Sequence, residues 1–277
     1  VVTHLGSTSR MLTGVNQPFE RPDSIGLIGA VGSGTFGLNG HAGLGEGFSI
    51  DAGGVWTSHN GDGTVVSGGL VAANLRYSAP GYDTFQPYGQ IGFTAAPGLQ
   101  MNFARSYDDN TEGGASASSS TSGSLYGVEI EGGVMFAPDP DNEVVFSATL
   151  GRSWLGVDAF SETMSGDNLF AASMDDQTLD FSTIKAGAAW TTNLAPEVDL
   201  TLHGAVGRTL APDAVDASVM FVGDVSVAGR DETFAEYGAR LGWAVTDAIT
   251  ADAFVLGTTG ELSGTHLQAG SALRIQF

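Results

Sequence analysis

Ser124-Leu-Tyr-Gly-Val-Glu-Ile-Glu-Gly-Gly-Val-Met-Phe136 alternates between two kinds of side chain with a period of two. One face carries Tyr126, Val128, Ile130, Val134 and Phe136, and the other holds Glu129, Glu131 and several glycines. Successive side chains of a β-strand point to opposite faces, so this pattern marks a strand with one apolar and one wet side. It recurs on both sides along the chain. In 64–78, Val71, Ala73, Leu75 and Tyr77 oppose Asn74, Arg76 and Ser78. Further on, Val198, Leu200, Leu202 and Val206 oppose Asp199, Thr201 and His203, and Tyr237, Leu241, Trp243 and Val245 oppose Glu236 and Arg240. The last segment sets Leu267, Leu273, Ile275 and Phe277 against His266, Gln268, Arg274 and Gln276.

A sandwich alternates too, and three features favour a membrane barrel. The polar faces carry charges in mid-strand beside glycines, which suits a wet lumen. Aromatic residues sit near the ends of apolar faces (Trp56, Tyr77, Phe136, Trp154, Trp190 and Trp243), as expected of the girdles where a barrel meets lipid headgroups. Short connections (45–47, 79–84, 137–141, 192–197 and 247–248) alternate with long ones rich in Ser, Gly and Asp (109–122, 155–178 and 209–231). Short periplasmic turns and longer external loops are the outer-membrane rule.

Composition narrows the classes. The chain has 277 residues, 42% of them hydrophobic and only 15% charged, with 41 glycines and a net charge of −21. Mean hydropathy is +0.08. Lys185 is the one lysine. So few basic residues disfavour nucleic acid as a partner. No run approaches 18 consecutive apolar residues, which excludes a helical span. The absence of cysteine argues against a disulfide scaffold, a zinc site or a thiol nucleophile. The opening Val-Val-Thr-His is expected to be the start of a mature or excised fragment whose export signal lay upstream.

A first pass finds 13 segments, and single-chain bacterial barrels have even numbers of strands. The segment to merge is 85–108, broken only by Pro97-Gly98. Phe85, Ile91, Phe93, Leu99, Met101 and Phe103 are expected on one face, with Gln86, Tyr88, Gln90, Thr94, Gln100 and Asn102 on the other. Unbroken parity suggests one kinked strand. Merging gives an all-β, 12-stranded antiparallel transmembrane barrel over 25–277, with both barrel termini on the periplasmic side. Residues 1–24 precede it.

These features resemble the translocator (β) domain of the classical autotransporters of Gram-negative bacteria, the type V protein secretion systems. The resemblance covers about 25–277: the 12-strand pattern, Gly45-Glu46-Gly47 after Gly37-Leu-Asn-Gly40, and the C-terminal Ala272-Leu273-Arg274-Ile275-Gln276-Phe277. It implies an outer-membrane anchor whose upstream passenger reaches the cell surface. It also implies outer-membrane lipid, lipopolysaccharide and the barrel-assembly machinery as partners, with Leu273, Ile275 and Phe277 as the assembly signal. In that family a partly helical segment before the barrel lies in the pore. Residues 1–24 occupy that place, although Gly6, Gly14, Pro18 and Pro22 interrupt the helix pattern. A luminal linker or plug, part helical, is therefore expected there, in a barrel that acts as a monomer.

Other motifs lead to no chemistry. Gly32-Ser-Gly34-Thr-Phe-Gly37 matches G-x-G-x-x-G, but Leu38–Leu44 alternates where a helix should follow, so it is a strand connection. Asp139-Pro-Asp141-Asn142-Glu143 lacks the glycine and distal glutamate of a calcium loop. Neither Gly-x-Ser-x-Gly nor His-Glu-x-x-His occurs, and the five histidines are scattered. No metal site, cofactor or catalytic residue is expected. The polar lining of the lumen is assigned to Asp51, Arg76, Glu129, Glu131, Lys185, Asp199, His203, Glu236, Arg240 and Arg274. These residues either pair across the pore or hold the 1–24 segment. Of the family's paired-Asn junction for passenger release, only Asn16-Gln17 has a counterpart, which does not match. The alternatives are a 12-stranded passive channel for small solutes and, behind it, an outer-membrane enzyme with a cross-strand Ser-His site.

Overall fold

The computed structural model describes residues 2–12, 21–31, 34–61, 63–80, 84–107, 115–165, 171–211 and 214–277. One helix, α1 (Val2–Leu12), precedes the strands. The barrel begins with β1 (Ser24–Val31), β2 (Thr35–Gly45), β3 (Phe48–Gly61) and β4 (Thr64–Ser78). It continues with β5 (Phe85–Tyr107), β6 (Ala115–Asp139), β7 (Asn142–Val157) and β8 (Gln177–Ala195). It ends with β9 (Val198–Leu210), β10 (Glu232–Thr246), β11 (Ile249–Gly260) and β12 (Gly264–Gln276). Each strand pairs antiparallel with its chain neighbours, and β1 closes on β12 with Ser24 opposite Gln276 and Val31 opposite Ala269. The result is a 12-stranded transmembrane barrel. Closure is a physical requirement, because lipid offers no partner to an unpaired backbone N–H or C=O.

The short turns gather at one end. Between β2 and β3, Glu46 and Gly47 both have positive φ, 51° and 83°, as a two-residue hairpin turn demands. A side chain at Gly47 would stand 2.2 Å from the Ser78 carbonyl oxygen, so that position also accepts nothing larger. At the other end several loops carry structure of their own. Residues 160–161, 172–174, 214–219 and 223–228 form a four-stranded sheet, and 163–165 pairs with 116–118 of β6. Residues 115–122, expected within a loop, are strand: β6 rises with β5 to the pair Tyr107–Ala115. Residues 155–157 and 209–210 likewise belong to β7 and β9.

The merged strand is correct, but the parity that argued for it is not. Ala96 pairs with Leu125 and Leu99 with Gly123, so Pro97 and Gly98 together oppose Ser124. This is a β-bulge, and it flips every side chain that follows. Phe85, Ile91 and Phe93 face outward, whereas Leu99 and Met101 are buried in the lumen at 0% and 2% exposure. Proline suits the bulge because it has no N–H to give the ladder.

Outside, the apolar faces form the lipid-facing wall. Tyr77, Trp190 and Trp243 are exposed near the short-turn end, while Phe136 is half-buried against the Phe85 ring at 4.7 Å. Trp56 and the pair Tyr126–Trp154 lie toward the long-loop end. Leu273, Ile275 and Phe277 project outward from β12. Phe277 donates its backbone N–H to the Asp23 carbonyl at 3.1 Å beside the closing seam.

Candidate functional site

Closure of 12 strands turns one face of each inward, and the residues that meet there divide the lumen in two. Toward the short turns the lining is ionic. Asp252, with its side chain fully buried, accepts from Arg240 Nε at 2.9 Å and from Arg274 Nε at 2.8 Å. Arg240 also pairs with Asp199. Asp51 binds both Arg21 and His41, the latter at 2.8 Å through Nδ1. Glu131 accepts from Tyr88 Oη at 2.8 Å, Gln90 Nε2 at 3.2 Å and Thr149 Oγ1 at 2.8 Å. Arg76 Nε donates to Ser49 Oγ at 3.3 Å. A buried charge without a partner costs several kcal/mol, which is why these groups occur as interlocked pairs.

Toward the long loops the lining is apolar. Val55, Val66, Leu70, Leu99, Leu125 and Leu155 form one cluster, closed from the loop side by Phe160, Met174, Leu179 and Phe181. Phe103 and Phe160 stack with ring centroids 5.3 Å apart. The bulge at Pro97-Gly98 adds β5 to this half, since without the flip Leu99 and Met101 would face lipid.

Helix α1 bridges the halves. Leu5, Met11 and Leu12 join the apolar cluster at 1%, 5% and 1% exposure. From the same helix, Ser9 Oγ and Thr94 Oγ1 share a hydrogen bond at 2.6 Å. Arg10 pairs with Glu236, whose other oxygen lies 3.6 Å from Lys185 Nζ. Leu12 lies against Gly53, where a side chain would approach its Cδ2 to 3.0 Å. Among the described residues the space that remains is divided, and the cavity at the short-turn mouth, beside Arg21, Asp199, Arg240 and Arg274, measures about 190 Å³. One cavity of about 70 Å³ is lined by Ser9, Arg10, Glu129, Lys185 and Glu236. Another, of about 100 Å³, lies among Asp51, Arg76, Tyr88, Glu131, His203 and Glu236. At about 30 Å³ per water, such volumes hold a few waters each.

All ten residues assigned to the polar lining lie on the luminal face. They do not form one constellation: Asp199, Arg240 and Arg274 sit near the short-turn mouth, whereas Glu129, Lys185 and Glu236 meet α1 at mid-height. Most luminal glycines make room for their neighbours' side chains. A side chain at Gly133 would clash with the Tyr88 ring, at Gly207 with Phe234, at Gly238 with His203 and at Gly242 with Arg240. Gly53 is the one in contact with α1 among those described. The sequence reading missed Asp252, although it alternates with Ala251 and Ala253. It also missed the apolar half, whose trace is that Val65, Val66, Leu70 and Val71 make β4 apolar on both faces. The region of Asn16-Gln17 lies outside the described residues.

No family model and no curated protein sequence matches the chain. Among solved structures it is similar to the translocator domain of autotransporter NalP from Neisseria meningitidis, with a TM-score of 0.65 at 15% identity over 100% of this chain and 96% of that one. It is also similar to the CymD monoaromatic hydrocarbon channel (TM-score 0.52, 9% identity, 100% and 92% covered). The Ralstonia pickettii toluene transporter TbuX gives a TM-score of 0.51 at 12% identity, with 94% and 90% covered. At these identities the likeness is one of fold, and the fold is that of an outer-membrane β-barrel. The resemblance to an autotransporter translocator domain holds at that level.

Proposed function

We propose that the chain is the membrane anchor and translocator of an autotransporter, through which an upstream passenger is exported to the cell surface. The observation that carries this reading is the helix inside the pore. Arg21 is tied to Asp51 near the short turns, Leu12 lies against Gly53, and Ser9 reaches Thr94 farther along the barrel axis. The chain therefore rises from the short-turn end, and the start of α1 points toward the long loops. With short turns in the periplasm and long loops outside, that path leads outward to a passenger. Residues 1–24 are then the luminal linker of a monomeric barrel, and no catalysis is needed. On this reading the barrel-assembly machinery takes Leu273, Ile275 and Phe277 as its signal on the last strand.

A reporter domain fused upstream of Val1 tests the proposal. Exported in a Gram-negative host, it should become accessible to protease added to intact cells, and to the same extent as a peptide tag inserted in 223–228. If the tag is accessible while the reporter stays inside, the translocator reading fails. Stable open-pore conductance of the full chain in planar bilayers would then favour the passive channel.

A further inference from the structure

The barrel wall facing lipid is almost free of charge, and the exceptions are not scattered. Among the described residues of the strands, away from the turns, the charged side chains on the outer face are Arg152 on β7, Asp180 on β8 and Arg208 on β9. Of the other arginines in the described barrel strands, Arg76, Arg240 and Arg274 face the lumen, and Arg105 on β5 is paired with Glu162 of a long loop. The three outward charges thus share one sector of three adjacent strands, and all lie toward the long loops. Arg152 is the next outward residue below Trp154, which pairs with Tyr126, so it stands at the edge of an aromatic band. Its guanidinium lies 5.8 Å from the Trp154 ring.

Each guanidinium is held in place by a carboxylate yet left open. Arg152 donates Nε and Nη2 to Asp180 at 3.1 and 2.6 Å, and Arg208 donates Nη2 to Asp231 at 2.8 Å. Both arginine side chains remain 57% exposed. Five N–H donors per guanidinium leave several unused on each. Arg152 is opposite Ser182 and Arg208 opposite Ile184 on β8, which separates their Cα atoms by roughly 12 Å. A solvent-facing ion pair at this level would contribute little to stability. In the headgroup layer, the same donors face phosphate oxygens, the acceptors that an arginine fork suits best.

We infer that Arg152 and Arg208 form a binding site for the phosphorylated disaccharide headgroup of an outer-leaflet glycolipid, with its acyl chains lying on the apolar wall below. Two cations on neighbouring strands, each with unused donors, can each take one phosphate of a headgroup that carries two. The inference rests on the proposed orientation, long loops outward, and is independent of whether the barrel exports a passenger or conducts solutes.

The test uses the full chain folded in detergent, with lipid binding read by native mass spectrometry. Bisphosphorylated lipid A should bind about tenfold more tightly than its dephosphorylated form, and R152Q/R208Q should lose that preference. Gel mobility without heating checks that the variant is folded. If it is not, Asp180→Asn, which frees Arg152, should bind bisphosphorylated lipid A at least as tightly as the parent chain. Equal binding of the two lipids to the parent chain would overturn the inference. So would competition by inorganic phosphate at the lipid's own concentration, which would make this a site for free phosphate. Antibody labelling of a tag in 223–228 on intact cells tests the orientation separately. A site that binds in detergent on a barrel whose tag stays unlabelled would keep the two-arginine phosphate site but overturn its assignment to an outer-leaflet lipid.

Discussion

The two halves of the lumen are filled by opposite means. Near the short turns, Asp252, Arg240, Arg274 and Asp199 interlock as buried ions. Near the long loops, Leu70, Leu99, Leu125 and Leu155 pack as a soluble protein's core would. A buried ion pair gives geometric definition but is costly to break, because the surviving partner is left unpaired in a dry site. An apolar cluster yields by degrees, as neighbours relax around a lost side chain. The first half therefore fixes the barrel's shape and the second makes a seal, while α1 engages both.

The largest effect should come from removing what the halves share. Deleting residues 1–12 takes away Leu5, Leu12 and Arg10 together and should raise single-channel conductance in planar bilayers several-fold. Conductance unchanged from that of the full chain would show that the halves close without the helix. Next in size, Asp252→Ala leaves two buried guanidinium groups facing each other and should cost about 3–5 kcal/mol in urea unfolding. Leu70→Ala, fully buried in the other half, should cost about 2–4 kcal/mol. An apolar-half loss exceeding the ionic one would reverse the comparison.

A subtler pair separates sealing from holding. Leu12→Glu places a charge in the apolar cluster and should loosen the helix, admitting a thiol reagent to a cysteine placed at Ser9. Arg10→Gln, which removes one of two cations on Glu236, should admit it more slowly. The smallest effect lies outside the lumen. The Ala211 N–H and then the Arg208 guanidinium hold the Asp231 carboxyl below its ordinary range. A depressed pKa contributes stability above the unfolded value, and that contribution is lost as pH falls through the folded one. The protection factor of the Ala211 amide, its exchange rate referred to the free-amide rate at the same pH, should therefore hold from pH 7 to about 5 and fall only below about 4, the unfolded carboxylate range. A fall already at pH 6 would mean that Asp231 does not anchor this segment.

The sequence by itself determined the strand pattern and placed many polar residues on one face, because both follow from period-two alternation between short turns, while the count of 12 rested on the even-number rule. A residue such as Glu131 or Arg274 can be placed on the wet face from its immediate neighbours alone. Only the tertiary structure decided what those faces meet. The bulge at Pro97-Gly98 inserts one residue against Ser124 and reverses the parity of β5, which local spacing conceals because Leu99, Met101 and Phe103 carry on the odd-numbered apolar run of Phe85, Ile91 and Phe93. The apolar half, the lodging of Leu12 against Gly53 and the filling of Gly133 by Tyr88 all join residues far apart in sequence. Alternation reports which side of a strand a residue occupies, and closure of the barrel sets its partners across the lumen.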